Sequence, residues 1–147
     1  MNVAIGADHR GYPLKERLKN AFAGQRIEFT DFGTKNTESC DYPDFAIPVA
    51  EAVAAGSAER GILICSSGNG MLIAANKVKG VRAAIAFTPE MARLSRLHND
   101  ANVLAIPADY LDPQLVPAIV RVWLETPFEG GRHERRINKI KDYEHAH

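Results

Sequence analysis

Neither sign of charge is in excess, cysteine is almost absent, and no basic leader precedes a long apolar segment. Eighteen Lys and Arg balance eighteen Asp and Glu, so no global positive field gathers a polyanion and no asymmetry of charge marks a membrane surface. Nucleic acid and membrane are therefore set aside as partners. The two cysteines, Cys40 and Cys65, lie far apart and without Cys-x-x-Cys spacing, which supports neither a zinc ribbon nor a thioredoxin-type redox pair. Nothing argues for a disulfide. Charges already appear at Asp8, Arg10, Lys15 and Glu16, so the start reads as strand, turn and helix, as expected of a cytoplasmic chain. Linkers, repeats and low-complexity tracts are also missing. The 147 residues, 46% of them hydrophobic, fit one domain over 1–147 with a core of its own.

What is present is alternation. Short apolar, partly β-branched runs ("NVAIGA", "RIEFTDFG", "GILIC", "VRAAIAF", "NVLAIP") are separated by helical patterns, the signature of parallel strands joined by crossover helices. In the first connection Pro13 suits an opening turn, and Leu14, Leu18, Ala21 and Phe22 form the expected inner face. The second carries Phe45, Val49, Ala52 and Val53 on one side, Pro48 in its first turns and Gly56 at its end. Thr88 is expected to cap a helix that starts at Pro89 and turns Met91, Leu94 and Leu97 inward. Asp112 and Pro113 repeat that device before "QLVPAIVRVWLE", and Gly130 and Gly131 set off a last helix, "RHERRINKIKDYE". The fold expected is α/β: a three-layer α/β/α sandwich around a five-stranded, parallel, doubly wound (Rossmann-like) sheet, with an extra C-terminal helix.

In such sheets ligands bind outside the carboxyl ends of the strands, near the point where strand order reverses. Cys65 falls at one of these ends. The "SSGNG" after it can present backbone N–H groups to an anion at the start of the helix "MLIAANK", and the same field favours a thiolate. A cysteine in this place is commonly a small buried hydrophobe, but the loop makes Cys65 a candidate base or nucleophile. Other motifs fail: no Gly-Lys-Ser/Thr follows, Ile73 occupies the third position of a dinucleotide fingerprint, and Met71 stands where a cysteine phosphatase needs its arginine.

Asp8 and His9 follow the first strand, where a simple turn would also explain them. His98 and Asn99 close the helix that begins at Pro89, a position equally suited to capping. On the last helix Ile137 and Ile140 define an apolar arc bordered by Arg132 and Arg136, one turn apart, with Arg135 and Lys139 farther toward solvent. Such arginines are ordinarily snorkelling residues; they can also make a rigid fork for phosphate. His9, His98 and His133 could meet in space, but no helix carries zinc-binding His spacing, so no metal is expected. His145 and His147 read as a solvated tail.

"GADHRGYPLK", "DFGT", "DYPDFA", "GILICSSGNGMLIAANKVKGVRAA", "ARLSRLHNDANVLA" and "FEGGRHERRINKI", in this order over nearly the full length, resemble the type B ribose-5-phosphate isomerases, relatives of the allose- and galactose-6-phosphate isomerases. The resemblance implies interconversion of an aldose phosphate and a ketose phosphate through a cis-enediolate, without metal or organic cofactor. It implies Cys65 as the proton shuttle between C2 and C1, assisted by Ser67, with backbone N–H groups of Ser66, Ser67, Gly68, Asn69 and Gly70 holding the enediolate oxygen. It makes His98 the ring-opening residue and has Asp8 orient a sugar hydroxyl. Asn99 then binds sugar, His9, Arg132 and Arg136 bind phosphate, and Tyr42 walls the pocket. Family members are homodimers, some pairing again into tetramers, so His98, Asn99 and the two arginines are expected to complete the partner's site. Part of the family uses a glutamate base on the helix after the glycine loop; Met71 here fits the cysteine-using group. One departure is Asp109, where relatives commonly carry a phosphate-binding arginine after the fifth strand. A hexose 6-phosphate isomerase, a non-catalytic sugar-phosphate-binding module and a cysteine phosphatase remain as alternatives.

Overall fold

The computed structural model describes all 147 residues. Five strands, β1 (Asn2–Ala7), β2 (Glu28–Asp31), β3 (Arg60–Cys65), β4 (Ala83–Ile85) and β5 (Val103–Pro107), form one parallel sheet in the order β2-β1-β3-β5-β4. The helices are α1 (Tyr12–Ala21), α2 (Pro43–Ala54), α3 (Asn69–Ala75), α4 (Pro89–Asn99), α5 (Val116–Glu125) and α6 (Arg132–Ala146). After β1 the chain adds β2 on one side, and β3 then returns to the other flank of β1. The winding reverses there, so the carboxyl ends of β1 and β3 bound the crevice in which open sheets bind ligands.

The central strands are apolar on both faces because helices cover both. Val3, Ile5, Ile62, Ile64, Leu104 and Ile106 pack with α1, α4 and α5, while Ala4, Leu63, Cys65 and Val103 pack with α2 and α3. Period-two alternation thus puts Cys65 on the α2–α3 side. Gly11 packs so closely on Ile64 that a methyl group there would overlap the Ile64 carbonyl; this contact locks the β1 loop against β3.

Proline and capping signals place most helix starts. Pro13, Pro43, Pro89 and Pro117 sit in first turns, and Thr88 Oγ1 accepts the Met91 N–H at 3.1 Å. Asp112 and Pro113 instead build a turn, in which Asp112 Oδ1 accepts the Gln114 N–H at 2.9 Å, and α5 starts later at Val116. In α1, Ala21 is exposed and Lys15 takes an inner position, its Nζ bonded to both carboxylate oxygens of Asp31 and to the Thr34 carbonyl, each at 2.7 Å. In α2, Phe45 and Ala52 are half-buried, and Ala46 and Ala50 join Val49 and Val53 inside.

The inner face of α4 also differs from expectation. Ala92, Ser95 and Arg96 are buried, Leu94 and Leu97 are half-buried, and Met91 is exposed. Arg96 is accommodated because its guanidinium donates to the carbonyls of Thr126 and Ala101 and to Asp100 Oδ1, which satisfies the charge internally. The leucine side is therefore only partly covered. His145 belongs to α6, which runs to Ala146; both it and His147 are exposed.

Candidate active site

The carboxyl edge of the sheet gathers Asp8, His9, Tyr42, Cys65 and the loop 66–70. Asp8 is buried, and its Oδ1 accepts the N–H groups of Arg10 and Gly11, each at 3.0 Å, so it does build the turn as well as standing near the sulfur. His9 Nδ1 accepts the Cys40 N–H at 3.2 Å and lies 3.7 Å from Cys40 Sγ. That bond leaves Nε2 as the nitrogen able to donate outward. Cys40, to which the sequence assigned no role, orients a site histidine. The Tyr42 ring packs on the glycine loop: a methyl group at Gly70 would lie 2.7 Å from it.

Cys65 ends β3 and is only 5% exposed. Gly68 turns the chain just beyond it with φ +80°, and a methyl group there would meet Ile85 Cδ1 at 2.9 Å, so both conformation and space require glycine. The expected depression of the Cys65 pKa is not found. Burial pushes the thiol above its ordinary 9.0, helped by the negative charge of Asp8, and this outweighs the N–H groups of Met71, Gly68 and Ser67 that favour the thiolate. Within the loop, the Asn69 N–H is bonded to Ser67 Oγ at 3.2 Å.

Two shallow cavities flank the loop. One of about 300 Å³ is lined by Ser67, Asn69, Ile85, Phe87 and Tyr110. The other, about 210 Å³, includes Arg10, Arg17 and Asp109. Arg10 Nη2 donates to Asp109 Oδ2 at 2.6 Å, and Ser66 Oγ donates to the same oxygen at 2.6 Å. The Ser66 hydrogen bond and the Arg10 guanidinium hold the Asp109 carboxyl below its ordinary pKa. Sequence reasoning noticed Asp109 but not its partner, because the two are 99 residues apart.

His98 and Asn99 lie elsewhere. Helix α4 runs antiparallel to the strands, so its last turn reaches the amino edge of the sheet, where Arg82 Nε donates to the Asn99 carbonyl at 3.0 Å just before β4 begins. The five-residue β5 is roughly 16 Å long, and that depth separates the end of α4 from the Cys65 loop within one chain. The start of α6 is on the amino side as well: the Glu129 N–H donates to the Leu97 carbonyl at 3.1 Å, and the His98 and His133 rings stack with centroids 4.3 Å apart. Arg132 and Arg136 are exposed and form no ion pair in the chain. Ile137 is buried, while Ile140 is 51% exposed.

Of the three histidines considered together, His98 and His133 meet and His9 does not. Glu129 joins them, each of the three offering a ligand atom within 4.8 Å of the others. Zinc bonds of about 2.0–2.2 Å hold tetrahedral ligand atoms roughly 3.4 Å apart, and the rings are only 17° from parallel, so their lone pairs do not converge. The cluster is poorly shaped for a metal. His133 Nε2 lies 3.0 Å from Glu129 Oε2 but lacks hydrogen-bond geometry, and it is buried without another partner.

A doubly wound sheet with a cysteine, a histidine and a glycine loop at its switch point has the layout of a small-molecule binding site. Residues 3–140 match the Ribose/Galactose Isomerase family. Ribose-5-phosphate isomerase B of Escherichia coli K12 is 44% identical over 138 residues, 94% of this chain and 93% of that protein. A ribose-5-phosphate isomerase B from Clostridium thermocellum superposes with a TM-score of 0.96 at 48% identity, covering 99% of each chain. One from Mycoplasma genitalium, solved with bound ribulose-5-phosphate, gives 0.95 at 40% identity over 99% of this chain and 97% of its own. The chain belongs to the ribose/galactose isomerase family and is an isomerase. No helix is long and apolar enough to cross a membrane.

Proposed function

We propose that this isomerase interconverts ribose 5-phosphate and ribulose 5-phosphate through a cis-enediolate at a site built from two copies of the chain. The carbohydrate class is supported by the relatives, one of which holds ribulose-5-phosphate. The observation that carries the reading is the separation of the groups: Cys65 stands at the carboxyl edge and His98 at the amino edge. Ring opening and proton transfer must act on one small substrate, so His98, Asn99, Arg132 and Arg136 serve the Cys65 of a second copy. The exposed Phe87, Met91 and Tyr110 and the half-buried Leu94 and Leu97 give that copy an apolar surface to cover.

His98 opens the furanose, Asp8 and Tyr42 frame the sugar, and His9 binds the phosphate. The Cys65 thiolate then takes the proton from C2 as the electron pair forms the C1–C2 double bond and charge moves to the C1 oxygen. Free backbone N–H groups of the loop stabilise that oxygen. The C2 hydroxyl loses its proton, the C1 oxygen gains one, and the sulfur returns its proton to C1, with Ser67 beside it. A thiol whose pKa lies above the ordinary value gives a scarcer but more basic thiolate. Arg132 and Arg136 grip the phosphate. An assay of ribulose 5-phosphate formation, with allose and galactose 6-phosphates compared by kcat/KM, tests the reading: activity with the pentose, lost in Cys65→Ala, is expected. Binding without turnover, or release of free phosphate, would contradict it.

A further inference from the structure

The mechanism above leaves a polar cluster at the carboxyl edge unused. Arg10, Ser66 and Asp109 come from the segments that follow β1, β3 and β5, which are neighbours in the sheet. One carboxylate oxygen, Asp109 Oδ2, receives both the Arg10 guanidinium and the Ser66 hydroxyl at 2.6 Å. The Asp109 N–H also donates to the Ser66 carbonyl at 3.0 Å, and the Arg10 N–H is fixed by Asp8 Oδ1 at 3.0 Å. Such tethering is not explained by stability. The two side chains are 58% and 37% exposed, so solvent screens their attraction and the pair adds little to folding.

Its consequence is position. Nη2 is the only nitrogen of the Arg10 guanidinium tied by a hydrogen bond, which leaves donors in a fixed fork for a second anion. Asp109 by itself would repel a phosphate, but Arg10 cancels its charge, and Arg17 lines the same cavity as a second cation. The chain of bonds from Arg10 through Asp109 to Ser66 ends one residue from Cys65. An anion on the guanidinium is therefore held at a set distance from the sulfur.

We infer that Arg10 is a phosphate-binding residue supplied, beside His9, by the chain that carries Cys65, and that Asp109 and Ser66 are its positioning residues. Resting on the isomerase reading above, this assigns the cluster the job of setting how far the reacting carbons lie from the phosphate, and so the length of sugar accepted. The guanidinium binds the dianion through paired N–H···O bonds, opposite the arginines of the second copy.

The test uses the full-length chain with Arg10→Gln, Arg10→Lys, Asp109→Asn and the exchanged pair Arg10→Asp with Asp109→Arg. Calorimetric binding of ribulose 5-phosphate and of inorganic phosphate is measured alongside KM and kcat for ribose 5-phosphate. Arg10→Gln is expected to weaken binding of both ligands and raise KM by about tenfold or more, the loss of a charge-assisted pair, with kcat changed much less. Arg10→Lys should fall between, Asp109→Asn should weaken binding by a smaller factor, and the exchanged pair should recover most of the affinity. Binding of both ligands by Arg10→Gln within twofold of the unaltered chain would overturn the inference. So would an equal loss in Arg10→Lys accompanied by a lower melting temperature, which would make the pair a folding element. If the unaltered chain binds ribulose 5-phosphate without isomerising it, the isomerase reading falls while the binding comparison still decides the role of Arg10.

Discussion

The imidazoles of His98 and His133 stack 4.3 Å apart and 17° from parallel, so a buried residue of α6 fixes the ring that α4 presents at its last turn. His133→Ala removes that support. Both it and His98→Asn should slow conversion of ribose 5-phosphate by about 10²-fold or more, as for loss of a positioned acid–base group. Solvent deuterium should still exchange into C1 of ribulose 5-phosphate, which needs no ring opening. Exchange lost together with turnover would place His98 in the proton transfer between carbons.

Cys65→Ala should reverse that pattern, abolishing both turnover and C1 exchange while the fold persists. In the intact chain, burial keeps the Cys65 pKa above 9.0. With the ionised sulfur as the proposed base, kcat/KM should climb with pH through neutrality and keep climbing beyond pH 8. The rate of alkylation by iodoacetamide should follow the same curve and be suppressed by ribulose 5-phosphate. A plateau below pH 7 in both profiles would contradict the burial of the thiol.

Lys15 and Asp31 supply a test of stability. Lys15 is 1% exposed and bonded to Asp31 and Thr34. Asp31→Asn leaves that ammonium without its counter-charge and should cost about 3 kcal/mol, the low end for breaking a buried pair, read from urea midpoints. Burial raises the Asp31 carboxyl, but Lys15, Lys19 and the Gly33 N–H outweigh it and hold the pKa below its ordinary 3.8. A depressed acid stabilises the fold above its unfolded pKa and loses that contribution as pH falls through the folded one. The difference between Asp31→Asn and the intact chain should therefore be constant near neutrality and shrink below pH 3.8.

The strands, their parallel arrangement and the Cys65 crevice were legible because apolar runs, helix-start prolines and a glycine loop are local signals. The orientation of α4 was not. Met91, Leu94 and Leu97 repeat as a core stripe would, yet the buried stripe is Ala92, Ser95 and Arg96. A half-covered apolar stripe and a core stripe have the same periodicity, and Arg96 is tolerated inside only through its bonds to the carbonyls of residues 101 and 126 and to Asp100. Ala21 and Lys15 were transposed for the same reason: Lys15 enters because Asp31 and Thr34, from β2 and its following loop, meet it. The lower Cys65 pKa anticipated from the loop was overturned by burial, which no local pattern reports. Arg10 escaped notice because its partner is visible only in three dimensions.

The sharing of sites between copies is tested most directly by mixing two inactive variants, Cys65→Ala and His98→Asn, after joint unfolding and refolding. Random pairing makes half the dimers mixed, and one of the two sites in each then carries both an intact Cys65 and an intact His98. About a quarter of the unaltered activity should return. If mixed dimers form, as mass spectrometry would show, and no activity returns, the two residues do not meet across copies and the account fails.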